Sequence, residues 1–423
     1  MSKRPRIIAI TGTKGKTTVS RVLNHIYVNS GKTILLVDTD GHYVQGKQKS
    51  TLMDSMNLYG LVPTICPGRY LFELKNKSDA IAILEISVGS SGAPGIGYSE
   101  HDIGAFLNVY EDHIGRRILT KAQLAKEKAY YIFQRIKPGG AAVFNADDRL
   151  VCKNLNIIPS DRDINFLPVG LEFKYFDYKK LLKSGGRAIT RQGDYIGIQS
   201  KKGFKKIINI KKIPWTFNGF FQPSIYNLMF VAAILYAGNQ MNGIRREQIK
   251  LMHKYSFTAE GGRLMMLENQ QKNLKAILDF AHEKISISQI AKLAKRVAGE
   301  KGKTLGVVRL APDRHDEALM DTGKYIANSF DIIIVYDKID GIKRKFYRNI
   351  KKNIYRKKGE VSGIVFNEIR KWQTGKRKCY RRILEKDAVK LAFAKAGKGD
   401  VIVHIVNDDH KKSAKIVKKY LYK

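Results

Sequence analysis

The sequence predicts an α/β protein: a doubly wound, P-loop-type parallel sheet with a small β-rich insertion, followed by a second Rossmann-like α/β domain. Three observations predict it. Short apolar runs alternate with helical patterns through the first third of the chain, a glycine-rich turn joins the first run to the first helix, and the alternation starts afresh beyond the glycine pair Gly261-Gly262, a candidate hinge. The expected division is 1–257 and 258–423, with the insertion at about 166–213.

The stretch RIIAITGTKGKTTVS, Arg6 to Ser20, sets up the first unit. Ile7, Ile8 and Ile10 suit a strand covered on both faces, and Thr17 to Tyr27 continues as a helix. Between them stand Gly12, Thr13, Lys14, Gly15, Lys16 and Thr17, with Thr18 next. The glycines let backbone N–H groups close around an anion, Lys16 can reach β- and γ-phosphate oxygens, Thr17 can hold Mg²⁺, and the helix dipole adds attraction. The spacing is G-x-x-G-K-T-T, because Ile10 stands where the usual first glycine would be. Two other readings are a glycine turn that happens to precede a lysine, and the deviant loop of partitioning ATPases, which needs a lysine at Thr11.

Further strands are expected at Thr33 to Val37, Ala80 to Ile86, Ile103 to Val109 and Ala141 to Phe144. Ligands of such sheets collect at the carboxyl ends of the strands. There the chain places Lys16 and Thr17, Asp38 and Asp40, Glu85, and Asn108 with Asp112 and His113. Glu85 lies on an apolar strand, where a carboxylate is costly to bury unless a metal or cation balances it. Phe166 to Ile213 changes to short alternating runs with glycine turns, a basic insertion or subdomain. Helices are expected at Phe220 to Ala237 and Arg245 to His253. The second domain shows strands at Leu274 to Asp279, Leu305 to Leu310, Ile332 to Tyr336 and Val401 to Val406, with helical patterns at Ser286 to Val297, Glu317 to Asn328 and Ala388 to Ala396.

The net charge of +39 implies a positive field that draws in acidic substrates, nucleic acid or anionic lipid, or else a lysine-rich composition with solvated faces. Cys66, Cys152 and Cys379 show no metal-ligand spacing and suit thiols in a reducing compartment. No apolar run reaches membrane-spanning length and the N-terminus leads straight into a strand, so a cytoplasmic location is expected.

ITGTKGKTT at the loop, LEISVGSSG around Glu85, NVYEDHIG from Asn108, LAKEKAYYIF around Lys128, FNADD at Phe144 to Asp148 and LDFAH at Leu278 to His282 occur in one order. In that order they resemble the Mur ligase superfamily, with the greatest likeness to the ligase half of cyanophycin synthetase. The latter likeness includes Asp38-Thr39-Asp40-Gly41 and PDRHDE at Pro312 to Glu317. The resemblance implies an ATP- and Mg²⁺-dependent amide ligase that activates a carboxylate as an acyl phosphate and couples it to an amine or amino acid. It assigns Glu85 and His113, with Thr17, to the metal. Lys128 matches a lysine carried by several members as a carbamate, a further metal ligand. Arg263 matches a γ-phosphate contact, Asp279 an acid near the ribose and the incoming amine, and Asn227 an adenine contact whose usual H-N-x-x-N setting is here Pro223-Ser224 and Asn227.

Taken alone, His113 is a loop histidine, Lys128 one more helix lysine beside Lys126, Arg263 a surface cation and Asp279 a strand-end turn residue. Asn145 and Asp147 are expected to bond the loop after their strand. Pro312 stands where glycine is common, and whether Arg314 and Asp316 touch substrate is left open. The loop begins within a dozen residues of Met1, so neither a UDP-sugar domain nor an ATP-grasp half is expected ahead of it. The acceptor implied is a small or polymeric carboxylate. The rival from another class is a P-loop ATPase that binds nucleic acid or serves as a scaffold.

Overall fold

The computed structural model describes the chain apart from residues 1–3, 60–61, 78, 89–94, 111–117, 257–263, 339–345, 350–353 and 408. Asp112, His113, the glycine pair at 261–262 and Arg263 therefore lie outside the described residues. The chain divides into two compact units, Met1–Ser256 and Phe257–Lys423.

Among the described residues of the first unit, one sheet holds β1 (Arg6–Thr11), β2 (Ile34–Asp38), β3 (Gly41–Val44), β4 (Lys47–Thr51), β5 (Ile81–Glu85), β6 (His101–Phe106), β7 (Ile136–Asn145), β8 (Asn165–Val169), β9 (Ala188–Gln192), β10 (Tyr195–Ser200) and β11 (Gly203–Asn209). Their order across the sheet is β11-β10-β9-β8-β7-β6-β1-β5-β2-β3-β4. The strands from β8 to β2 run parallel and the central ones are buried along almost their whole length, which is why they read as unbroken apolar runs. Helices Lys16–Asn29, Gln222–Gly238 and Arg246–Lys254 pack together on one face. Helix Lys121–Ile132 covers the other, its Leu124, Ala125 and Ala129 in one core with Ile7, Ala9, Leu84 and Phe106.

The basic β-rich stretch is not a sheet of its own. β8 pairs with β7, β9 joins β8 at Val169 and Ile189, and β10 and β11 follow as an antiparallel meander, so the stretch lengthens the central sheet at one edge. The other edge ends in a β3–β4 hairpin that the polar run from Gly41 to Thr51 did not suggest. Its turn is Gln45-Gly46, both at positive φ, the two-residue geometry that fits strand twist.

In the second unit, β12 (Met265–Asn269), β13 (Leu274–Asp279), β14 (Thr304–Val308), β15 (Ile332–Val335), β18 (Lys378–Arg381) and β19 (Val401–Ile405) form a sheet ordered β12-β13-β19-β14-β15-β18, parallel except for β12. Between β15 and β18 lies a separate hairpin of β16 (Phe346–Asn349) and β17 (Ile354–Lys357). The helices are Lys284–Ala298, Asp316–Ile326, Glu360–Trp372, Glu385–Lys395 and His410–Leu421. The third and fifth of these, and β12, β16, β17 and β18, carry no expectation from the sequence. The last helix is tied in by polar bonds as well as by Val417 and Leu421: buried Glu385 accepts from His404 Nε2 at 2.7 Å, Asn407 Nδ2 at 2.9 Å and Ser413 Oγ at 2.5 Å. Burial works against that charge, but the hydrogen bonds from His404, Ser413 and Asn407 outweigh it and hold the carboxyl below its ordinary range. Among the described residues, no helix is long and apolar enough to cross a membrane.

β6 opens on His101, wholly buried, with Nε2 2.7 Å from the Ile132 carbonyl and Nδ1 without a partner among the described residues. Burial lowers its pKa from 6.5 to about 4. The unfolded chain takes up this proton near the ordinary value while the folded chain refuses it until the lower one, so stability is lost as pH falls through that window, by at most ~3 kcal/mol. His101→Phe should flatten the acid limb of stability in urea unfolding at neutral pH and near pH 4.5; an unchanged slope with pH would refute this.

Candidate active site

Strand register places the site. Ile10 of β1 lies beside Glu85 of β5, and Thr11 beside Phe106 of β6, so the segments after all three strands meet around Gly12 to Gly15. β1 sits between β5 and β6 while the chain itself passes from β1 to β2, making this the switch point at which such sheets hold ligands.

Asn108 holds the loop. Its Oδ1 accepts from Thr13 N at 3.1 Å and Lys14 N at 2.9 Å, its Nδ2 donates to Lys14 O at 3.0 Å, and its carbonyl accepts from Thr13 N at 3.0 Å. Thr13 Oγ1 in turn accepts from Tyr110 N at 3.0 Å. The loop tolerates this closeness only through its glycines. Gly12 has φ +148° against Leu107 and Asn108, and Gly15, φ +88°, lies so near Asn227 that a Cβ there would overlap the amide oxygen. Helix Gln222–Gly238 thus brings Asn227 onto the loop. Gly15 begins helix Lys16–Asn29 with no side-chain cap, which leaves its positive end facing the loop. Lys16 Nζ folds back to the carbonyls of Gly12 at 2.8 Å and Thr13 at 3.4 Å, and Thr18 is half-buried one residue beyond Thr17.

Glu85 is completely buried at the end of β5. Thr17 Oγ1 donates to its Oε2 at 3.2 Å and Ser20 Oγ to its Oε1 at 2.8 Å. Ser20 was not among the residues expected, although its i+3 spacing from Thr17 puts both hydroxyls on one helix face. A carboxylate and a hydroxyl at a helix N-terminus are hard oxygen donors, the type Mg²⁺ takes, so Thr17 and Glu85 could hold that ion. Lys128 is 1 % exposed, and its Nζ donates to the Val88 carbonyl at 3.2 Å, in the segment that follows Glu85. Its helix is fixed by a Thr120–Gln123 capping box.

Around this centre, the FNADD turn does what its sequence suggested. Asn145 Nδ2 donates to Leu107 O at 2.8 Å, next to the clamp, and Asp147 accepts from Leu171 N at 2.6 Å and from Tyr226 O–H at 2.7 Å. Asp38 and Asp40 both engage Arg21 of the loop helix, at 2.8 and 2.5 Å. Burial penalises that guanidinium, but the two carboxylates more than offset it and keep it charged. Cys66, Cys152 and Cys379 are free, and burial pushes the thiols of Cys152 and Cys379 up to about 12, far from nucleophilic use.

In the second unit, Asp279 ends β13 and accepts from Leu264 N at 2.8 Å, while its carbonyl accepts from Val406 N at 2.9 Å. Buried Arg309 donates to Val406 O at 3.1 and 2.7 Å and lies 4.8 Å from the centre of the Phe280 ring, bracing the turn that follows Asp279. Asp316 pairs with Arg356 at 2.6 Å, and Arg314 O accepts from the same arginine at 2.6 Å.

Comparison with known proteins gives three findings. The Mur ligase middle domain family matches residues 10–235. The cyanophycin synthetase of Nostoc sp. is 29% identical over 343 residues, 80% of this chain and 36% of its own length, and that of Geminocystis herdmanii is 27% identical over 423 residues, 98% and 44%. The chain therefore spans less than half the length of these two cyanophycin synthetases. A Yersinia pestis bifunctional folylpolyglutamate synthase/dihydrofolate synthase, solved with AMPPNP and a Mn ion, superposes with TM-score 0.66 at 16% identity, covering 100% of this chain and 90% of that one, which shows the shared fold.

Asn108→Ala should free the loop amides from their clamp and weaken ADP binding about tenfold, with a stability loss of ~1–3 kcal/mol. Asn108→Asp should keep the acceptor and the stability better, yet bind ADP less tightly than wild type because it sets a charge beside the phosphates. Titration calorimetry and urea unfolding check both, and wild-type affinity in Asn108→Ala would refute the clamp.

Proposed function

The chain belongs to the Mur ligase family through its middle domain, and from that premise we propose that it is an ATP-dependent carboxylate–amine ligase. The observation that carries the reading is the buried Glu85 bonded to Thr17 and Ser20 beside a glycine loop clamped by Asn108. A P-loop fold used only to hydrolyse ATP does not require that carboxylate together with Lys128 and Asp279.

In the proposed reaction a carboxylate oxygen of the acceptor attacks the γ-phosphorus of ATP, the bond to the bridging β–γ oxygen breaks, and ADP leaves. An amine, from an amino acid, then attacks the acyl phosphate carbon. The tetrahedral intermediate collapses to the amide and inorganic phosphate, and the proton lost by the amine passes to solvent or to a nearby base. Phosphoryl transfer is mostly positioning and charge neutralisation. Residues Gly12 to Thr18 cradle the phosphates, with Lys16 swinging from its own loop carbonyls to the β- and γ-oxygens. Asn227 faces the loop from the neighbouring helix. Thr17 and Glu85, with His113, would hold Mg²⁺, which would supply positive charge against the phosphate oxygens.

Arg263 is assigned the γ-phosphate, and Asp279 the ribose and the incoming amine, both from the proposed second domain, 258–423, while the loop belongs to the proposed first, 1–257. Lys128 is proposed to carry a carbamate. Its depth supports this, since a buried cation is costly, and its Nζ reaches the Val88 carbonyl in the segment that follows Glu85. The acceptor is proposed to be an acidic, small or polymeric carboxylate, favoured by the +39 charge, and the reaction to run in the cytoplasm, where ATP is made available.

The test is ADP formation across amino acids and acidic oligomers, with mass spectrometry of any conjugate. Phosphate release should need both a carboxylate and an amine, and stimulation by DNA or RNA instead would overturn the proposal. Lys16→Ala should lower turnover by ~10²–10³-fold, as removal of one charge-stabilising donor does, and conjugates formed at the parental rate would refute its role. Lys128→Ala should lose activity and regain part of it with added short-chain carboxylates. Failure of that rescue would count against the carbamate alone.

A further inference from the structure

One edge of the eleven-stranded sheet is β11, and it is rich in lysine. Between Gln199 and Lys212 the chain has six lysines and no acid. Lys201 and Lys202 make the two-residue turn from β10 to β11, Lys205 and Lys206 lie on β11 itself, and all four are exposed. Lys211 is held by Asp194 at 2.7 Å and Lys206 lies 5.0 Å from the centre of the Tyr195 ring. Among the described residues, Lys201, Lys202, Lys205 and Lys212 have no carboxylate in ion-pair range. β11 has a hydrogen-bonded neighbour, β10, on one side only. Its outer row of backbone N–H and C=O groups therefore faces outward, as on any edge strand.

From this we infer that the β11 edge docks an extended acidic polypeptide, which adds to the sheet as a further strand with its carboxylates against the lysines. The lysines bar pairing with a second copy of the same edge, because like charges would meet, and favour a strand of opposite sign. Lys205 and Lys206 are consecutive on β11 and so lie on opposite faces, and an added strand, whose side chains alternate in the same way, meets one lysine on each face. Nucleic acid offers the charge but no amide ladder to continue a sheet, so the open backbone favours the polypeptide. The edge lies six strand spacings from β1, about 30 Å along the sheet, which roughly nine extended residues span. A chain held there can still present its end at the phosphate loop. The inference goes beyond the ligase reading by naming an anchor remote from the reacting groups, and binding measured without nucleotide separates the two.

The experiment uses the full chain, fluorescently labelled poly-L-glutamate of about 20 residues, and the variant K201E/K202E/K205E/K206E, with circular dichroism and ADP binding confirming that the variant is folded. At physiological ionic strength the wild type should bind the polymer at least about tenfold more tightly than the variant, and the polymer should slow amide hydrogen exchange in residues 203–209. Equal binding by the two proteins would overturn the inference. So would binding that leaves exchange at β11 unchanged, or single-stranded DNA of equal charge binding as tightly as poly-L-glutamate.

Discussion

Glu85 is a carboxylate taken wholly out of water, and the phosphate loop is built around making that tolerable. A buried anion left alone costs several kcal/mol, and two hydroxyls from one helix face meet part of that cost. The helix must then start where it does, with Thr17 and Ser20 turned toward β5, and Gly15 must supply the left-handed residue that begins it without a side chain. Asn227 fills the space a side chain would have taken. The loop, its helix and the strand end are a single arrangement, and Asn108 closes it from the β6 side.

Much of this could be read in the sequence because each part has a strong local cause. The central strands are covered on both faces and so appear as plain apolar runs, and the G-x-x-G-K-T-T spacing announces a loop that needs positive φ. Asn145 and Asp147 follow turn chemistry that depends on near neighbours. What escaped were features set by partners far along the chain. Ser20 matters only because β5 lies beside its helix, and Asn108 becomes a clamp only because β6 pairs with β1. The β3–β4 hairpin pairs the largely buried Gly41–Val44 with the exposed, polar Lys47–Thr51 and shows little periodicity. β9 to β11 look like a separate module because they alternate, as a half-exposed meander does, although hydrogen bonds join them to the parallel core. His113 and Arg263, which were legible as motif residues, fall outside the described residues.

The second unit obeys the same principle with different groups. Asp279 is fixed by backbone donors and by a turn that Arg309 braces through Val406 and Phe280, so its position depends on the β13–β19 pairing and on a guanidinium whose charge is met by a carbonyl and an aromatic face. Nothing in LDFAH by itself reveals that Arg309 is its support.

The Glu385 cluster has a bearing on how the protein can be handled. The hydroxyl of Ser413 belongs to the terminal helix, so a chain cut anywhere between Val406 and that helix loses an apolar wall and strips an interior anion of a donor at once. Proteolytic nicking or an early stop codon there would act on the whole second unit and not merely shorten it, whereas a fusion partner placed after Lys423 leaves that bond alone.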